Sequence, residues 1–229
     1  SGRESFDGIM KKPKICAVIV NNELEAVKRV ESHVDLFEVR IDLIGDAWAQ
    51  MVKHLEKPWI ACNRSVEEGG SWQGSEAGRR EELLNALELG AAIIDVELVT
   101  GNLEEIVKMI KKKAKCLLSY HDVKGTPSIE LMRSIIQRQL DAGADICKLV
   151  TTARKFVDNL AVLELISDFP KARVVSFAMG APGGISRILC PLVGGDFTYA
   201  SVAKGRESAS GQVTVSDLTG IYGMVKDSW

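Results

Sequence analysis

Short apolar runs rich in β-branched residues alternate along this chain with longer stretches of helical period. The runs are KICAVIV (14–20), LFEVRID (36–42), WIACNR (59–64), AIIDVEL (92–98), KCLLSYH (115–121), DICKLVT (145–151), RVVSFAM (173–179) and, most weakly, TYASVA (198–203). Between them lie ELEAVKRVES, AWAQMVKHLE, SEAGRREELLNALELG, NLEEIVKMIKKK, SIELMRSIIQRQLDAG and RKFVDNLAVLELISDF, where apolar residues recur near i, i+3, i+4 and i+7. This predicts about eight strand-then-helix units. The runs are too continuously apolar for one face to meet water, so they read as parallel strands covered by helices. Eight such units fit a closed (β/α)8 barrel, the TIM barrel of the α/β class, better than an open sheet.

Local chemistry supports several boundaries. Asn102 is expected to cap NLEEIVKMI, with glutamates in its first turn and Lys111, Lys112 and Lys113 at its end to suit the helix dipole. Gly90 and Gly143 fall where helices should stop before the next strand. A doubly wound nucleotide-binding fold fits less well: NNELEA, not GxGxxG, follows the first run, and GxxxxGK[ST] occurs nowhere. The polar opening, residues 1–13, is expected to be a flexible extension or an expression remnant, with Met10 a candidate start and 14–229 the barrel catalytic domain.

Length and charge narrow the function. At 229 residues the chain suits one such barrel. With 29 basic and 31 acidic residues, a formal charge of −2, there is no electrostatic reason to expect nucleic acid or an anionic membrane as partner. A small molecule is the natural partner. Five scattered cysteines, without a CxxC or a Cys/His cluster, read as buried thiols of a reducing cytoplasm. No stretch approaches the roughly 18 apolar residues of a membrane span.

Chemistry in such a barrel gathers where the strands end. Those places hold Glu38 and Arg40, Arg64 and Glu68, Glu97, His121 and Asp122, Lys148, and Met179 before a glycine-rich loop. Lys148 stands out because DICKLV surrounds it with apolar residues. Burial disfavours an ammonium, so the expectation is a lowered pKa and a neutral amine able to attack a carbonyl. The same placement also fits a lysine paired with Glu38 or Glu97. His121, at the end of KCLLSYH, can exchange protons near neutrality, whereas His33 and His54 fall at the ends of surface helical patterns. In MGAPGGISR (179–187), free backbone amides and Arg187 make an anion site for a carboxylate or a phosphate. GRESASGQ (205–212) has the composition of a loop that folds over a ligand, or of a plain surface loop.

Six of these segments, in order, carry a resemblance: ExR at Glu38 and Arg40, RSVEEGG (64–70), SYHD (119–122), DICKLV, MGAPGGISR and SASGQ. Over nearly the whole chain from Lys14 it resembles the type I 3-dehydroquinate dehydratases. The resemblance implies a (β/α)8 barrel, usually homodimeric, that converts 3-dehydroquinate to 3-dehydroshikimate in the shikimate pathway without metal or organic cofactor. It implies that Lys148 forms an imine with the substrate ketone, that His121 is the general acid and base, and that Glu68 is the carboxylate beside it. Glu38, Arg40 and Arg64 then hold substrate hydroxyls and order the site, and Arg187 binds the substrate carboxylate. Ser208 and Gln212 match the closing loop, Met179 and Tyr199 the apolar wall.

Two departures stand out. Ser210 takes the place of a proline in the closing loop, which leaves that loop less preorganised, and the segment around it is about two residues longer. Tyr199 stands where phenylalanine is usual. Two rivals share the same features: another imine-forming barrel, such as a class I aldolase acting on a sugar phosphate, and a barrel that only binds an anionic metabolite.

Overall fold

The computed structural model describes residues 12–226. The extension expected over residues 1–13 therefore lies, apart from Lys12 and Pro13, outside the described residues. Eight strands form: β1 Ile15–Ile19, β2 Leu36–Arg40, β3 Trp59–Cys62, β4 Ile93–Glu97, β5 Lys115–His121, β6 Ile146–Thr152, β7 Val174–Met179 and β8 Thr198–Ser201. Each coincides with one of the apolar runs. Every ladder is parallel, in the order β7-β6-β5-β4-β3-β2-β1-β8. Between β7 and β8 the ring closes without a ladder. There Asp196 donates its N–H to the Val174 carbonyl at 2.9 Å, and its carboxylate meets Arg173 at 2.6 Å.

The expected barrel is therefore present, with corrections at some ends. LFEVRID does not run straight through: β2 stops at Arg40, and Ile41–Ile44 turns at once into a helix. AWAQMVKHLE gives only one α-turn, Trp48–Met51, followed by the 3-10 segment Val52–His54. Asn102 does stand at the start of helix Leu103–Ile110, but its side chain makes no capping bond, and its φ of 56° places it in the left-handed region. The capping serines are Ser75 and Ser128, which accept from Gly78 N–H at 3.1 Å and Leu131 N–H at 3.3 Å. Gly90 and Gly143 do end their helices, with φ of 89° and 91° that a side chain would oppose. One helix, Val215–Met224, was not expected; Thr214 and Asp217 form a reciprocal capping box at its start.

Parallel register decides which residues share the barrel interior. On β5 and β6, Leu117 pairs with Ile146, Ser119 with Lys148 and His121 with Val150. Alternation then puts Leu117, Ser119 and His121 on one face. The buried residues of this inward face begin apolar, with Ile60, Ile93, Leu117 and Ile146, and become charged towards the C-terminal ends of the strands. Polar side chains thus sit on a packed apolar floor, where the helices and loops above can reach them.

Candidate active site

The eleven residues that the resemblance assigns to a site line one cavity at the C-terminal end of the barrel: Glu38, Arg40, Arg64, Glu68, His121, Lys148, Met179, Arg187, Tyr199, Ser208 and Gln212; Glu97 and Asp122, also singled out at strand ends, do not line it. They come from β2, β5, β6, β7 and β8, from the segment after β3, from the helix Gly184–Leu189 and from the loop after β8, so closure of the ring is what assembles them. Cys62, Val150 and Phe177 complete the wall.

Lys148 is 4% exposed, and its Nζ lies 3.1 Å from Asp95 Oδ2, 3.4 Å from Glu38 Oε2 and 4.4 Å from the centre of the Tyr199 ring. This corrects two expectations. Burial does oppose the ammonium, but Asp95 and Glu38 together outweigh it, so the pKa lies above the ordinary lysine value. The second carboxylate beside Lys148 is Asp95, not Glu97. Glu97 instead holds two arginines, Arg64 Nη1 and Arg79 Nη1, each at 3.3 Å.

Asp95 is the hub of the floor. It accepts from Arg64 Nη2 at 2.6 Å and from Ser119 Oγ at 2.5 Å as well as from Lys148. Burial alone would raise its pKa, but Arg64 and Lys148 carry it down to about 2. Arg64 also donates to Ser119 Oγ at 2.7 Å. Two cations and one anion in contact in a dry interior keep their charges only as a set, since removing one partner from such a pair costs about 3–5 kcal/mol.

His121 stands beside this set, held by Glu68. The Glu68 Oε2 lies 2.8 Å from Nδ1 and accepts the His121 backbone N–H at 3.1 Å, so Nε2 is the ring nitrogen left for the cavity. Local backbone chemistry places that carboxylate. Gly69 adopts φ of 82° after the 3-10 turn Val66–Glu68, and a Cβ on Gly70 would stand 2.2 Å from the Arg64 carbonyl oxygen, so EGG is the sequence that folds Glu68 back over β3. Burial raises Glu68 to about 8 against the pull of Arg64. Burial and then Arg64, Lys148, Arg40 and Arg187 push His121 well below the usual imidazole range. The imidazole is therefore neutral and able to take a proton.

Arg40 turns to Asp42 through two bonds, 2.9 Å from Nε and 2.7 Å from Nη2. Arg187 differs from the other guanidiniums that line the cavity: it is 2% exposed, its Cζ lies 4.5 Å from the centre of the Phe177 ring, and its buried Nε has no hydrogen-bond partner. Burial lowers its pKa to about 10. Among the described residues, two more cavity-lining atoms are buried without a partner, Glu68 Oε1 and Tyr199 Oη. Among the cavity-lining arginines, Arg187 is thus the one without a protein partner, its charge free to meet an anion. Tyr199 packs edge-on to Phe177 and Phe197, as an apolar wall requires, yet brings an idle hydroxyl.

The loop after β8 covers the cavity. Ser208 N–H donates to Gln212 Oε1 at 2.8 Å, and the Ser210 carbonyl accepts from Gly180 N–H at 3.2 Å. A Cβ on Gly211, at φ of 80°, would come within 2.5 Å of the Gly180 carbonyl oxygen, so glycine is required where this loop crosses the loop after β7. Arg206 ties the same loop to Glu23 beyond β1. Hence GRESASGQ packs over the cavity and is not an idle surface loop.

Among the described residues, Glu38, Cys62 and Asp95 are the group close enough to share a metal ion, with donor atoms within 4.8 Å. Lys148 already stands against both carboxylates, Arg64 Nη2 is 3.4 Å from Cys62 Sγ, and burial raises that thiol's pKa.

Sequence reading missed Asp95, Ser119 and Arg79. Asp95 had a signal: it lies mid-strand in AIIDVEL, two residues before Glu97 and so on the same face. Arg79 had none that distinguishes it from Arg80.

Comparison with known proteins agrees with this geometry. The family described as Type I 3-dehydroquinase matches residues 15–228. A 3-dehydroquinate dehydratase of Dehalococcoides mccartyi strain BAV1 is 43% identical over 214 residues, covering 93% of this chain and 96% of that protein. The 3-dehydroquinate dehydratase of Methanocaldococcus jannaschii is 35% identical, over 91% and 97% of the two chains. Among solved structures, the 3-dehydroquinate dehydratase of Geobacillus kaustophilus HTA426 superposes with a TM-score of 0.84 at 25% identity, covering 95% of this chain and 92% of that one.

Proposed function

Because the chain belongs to the type I 3-dehydroquinase family, we propose that it dehydrates 3-dehydroquinate to 3-dehydroshikimate through an imine on Lys148. One observation carries this reading: a buried amine and a neutral buried imidazole, on adjacent strands, open on a cavity that also holds an unpaired guanidinium. The substrate offers a ketone for the amine, a proton beside it and a leaving hydroxyl for the imidazole, and a carboxylate for the guanidinium.

Lys148 rests as an ammonium between Asp95 and Glu38 and must first lose a proton, which neutral His121 can accept. The amine then adds to the ketone, and the carbinolamine hydroxyl leaves as water with the proton that His121 had taken; this gives the protonated imine, whose nitrogen is an electron sink, and returns His121 to its neutral form. His121 removes the C2 proton to give the enamine. The enamine electrons expel the C1 hydroxyl, which leaves as water with a proton from His121. Hydrolysis of the imine releases the enone and restores Lys148. Arg187 holds the substrate carboxylate, Ser208 and Gln212 close over it, and Glu38, Arg40 and Arg64 meet its hydroxyls. Glu68 keeps the imidazole oriented, and Met179 with Tyr199 forms the apolar wall. No metal or organic cofactor is required by these steps.

The contact of Lys148 with two carboxylates favours a second reading, a barrel that binds an anionic metabolite with its lysine locked in ion pairs. Borohydride treatment in the presence of 3-dehydroquinate separates the two. The dehydratase gains a permanent adduct on Lys148, located by peptide mass, and produces a conjugated enone seen by ultraviolet absorbance. A protein that yields neither is not this enzyme.

The remaining parts of the reading are a homodimer, a cytoplasmic location, residues 14–229 as the catalytic barrel, and no role for nucleic acid or membrane. Phe156, Val157 and Leu160, exposed around the start of helix Asp158–Asp168, supply apolar surface for pairing. Five unpaired buried cysteines suit a reducing compartment. Among the described residues no helix is long and apolar enough to cross a membrane.

A further inference from the structure

We propose that Arg79, on the outer helix Glu76–Glu88, is a positioning residue that sets the charge and geometry of the catalytic floor through Glu97 and Arg64. It touches neither the cavity nor Lys148 or His121. Its side chain is 4% exposed although it belongs to a helix outside the barrel, because it reaches inward over the C-terminal ends of β3 and β4.

The contacts are directional. Arg79 Nη1 lies 3.3 Å from Glu97 Oε2 and donates to the Asn63 carbonyl at 3.0 Å. The Asn63 side chain returns a bond to the Arg79 carbonyl at 3.4 Å. On the outer side, Glu76 anchors the guanidinium at 2.8 Å from Nε and 2.9 Å from Nη2, and Thr100 Oγ1 accepts at 3.4 Å. Arg79 therefore holds both the backbone just before Arg64 and the carboxylate that Arg64 faces. Glu97 uses its other oxygen for Arg64 Nη1 at 3.3 Å and Ser65 N–H at 2.9 Å. From Arg64 the chain of contacts divides: to Asp95 and so to Lys148, and to Glu68 at 3.6 Å and so to His121.

One balance follows. Without Arg79, Glu97 becomes a buried anion whose sole cation is Arg64. The groups facing Glu97 are then the cation Arg64, the anion Asp95 and Glu68, whose raised pKa of about 8 leaves it mostly protonated at neutral pH. Arg64 is drawn towards Glu97 and away from Asp95, and the loss of a cation raises the proton affinity of every group in the set. Arg79 thus does at a distance what a direct ligand of Arg64 would do.

The inference rests on the dehydration reading above, which enone formation by the unaltered protein tests alone. Arg79→Met, Arg79→Lys and Glu97→Gln are compared in kcat/KM against pH, in kcat, and in thermal unfolding. Arg79→Met is expected to lower kcat about tenfold. It should also displace the ascending limb of the pH profile to the alkaline side by roughly half a pH unit, as loss of a cation that acts through Glu97 and Arg64 requires. Arg79→Lys should return the limb most of the way, and Glu97→Gln should move it to the acid side. If Arg79→Met does not fold, the opposite displacements of the other two variants carry the proposal. Variants that lose stability and kcat with the limb unmoved overturn it, since a merely structural arginine has that effect.

Discussion

Replacing Arg187 by methionine should make the ligand-free protein more stable while nearly destroying its activity. The argument starts from the unpaired charge. Arg187 is buried, lies over Phe177 and has an Nε without a partner. Its pKa falls to about 10, and at about 1.4 kcal/mol per tenfold change in proton affinity this puts the penalty for burying the charge at about 3 kcal/mol. The sign is that of a cation whose folded pKa is depressed: the penalty is fully present at neutral pH and is relieved only as pH rises past the folded value. The stack on Phe177 returns about 2 kcal/mol, which leaves a net cost of about 1 kcal/mol. Methionine keeps the apolar contact and removes the charge, so Tm should rise about 2–4 °C for a chain of this length.

Activity should move the other way. Removing one partner of a buried charge-assisted pair costs about 2–5 kcal/mol, so kcat/KM should fall roughly 30-fold to several thousandfold. Scanning fluorimetry in ligand-free buffer of low chloride gives the first quantity, and enone absorbance gives the second. A carboxylate product should raise Tm of the unaltered protein and not of the variant. A variant that unfolds several degrees lower would show that the guanidinium is compensated in the free protein. One with kcat/KM within threefold of the original would remove the carboxylate from Arg187.

Four further outcomes follow from the same geometry. Lys148→Ala should abolish both turnover and the borohydride adduct; an adduct on another lysine would move the imine elsewhere. His121→Ala should lower kcat by about 10²–10⁴-fold while the borohydride adduct still forms, as mass spectrometry would record. Asp95, depressed to about 2, contributes stability that is present above its unfolded value near 4 and is lost as pH falls towards about 2; Asp95→Asn should flatten that limb of an acid unfolding curve and unfold at lower urea. Tyr199→Phe should leave kcat within about threefold and stability unchanged or slightly higher, because the lost hydroxyl has no partner; a tenfold fall would mean that this hydroxyl meets the substrate.

What the sequence determined by itself was everything that depends on period and on neighbouring residues. Strand β5 matches KCLLSYH from end to end, and β6 contains the DICKLV lysine in its expected inward place, because a side chain in a buried strand has only two faces to choose between. Gly90 and Gly143 were legible for the same local reason. The helix Val215–Met224 was equally local and was overlooked, its signal being the spacing of Thr214 and Asp217.

Only the tertiary structure decided the charge of Lys148. Its own segment argues for a neutral amine, but Asp95 from β4 and Glu38 from β2 arrive through ring closure, and Coulomb attraction over 3–4 Å in a dry interior reverses the local argument. The pairing of Glu97 with Arg79 and the solitude of Arg187 have the same origin. Such energies depend on distances between elements far apart in the chain, whereas period and capping depend on residues within a few positions of each other.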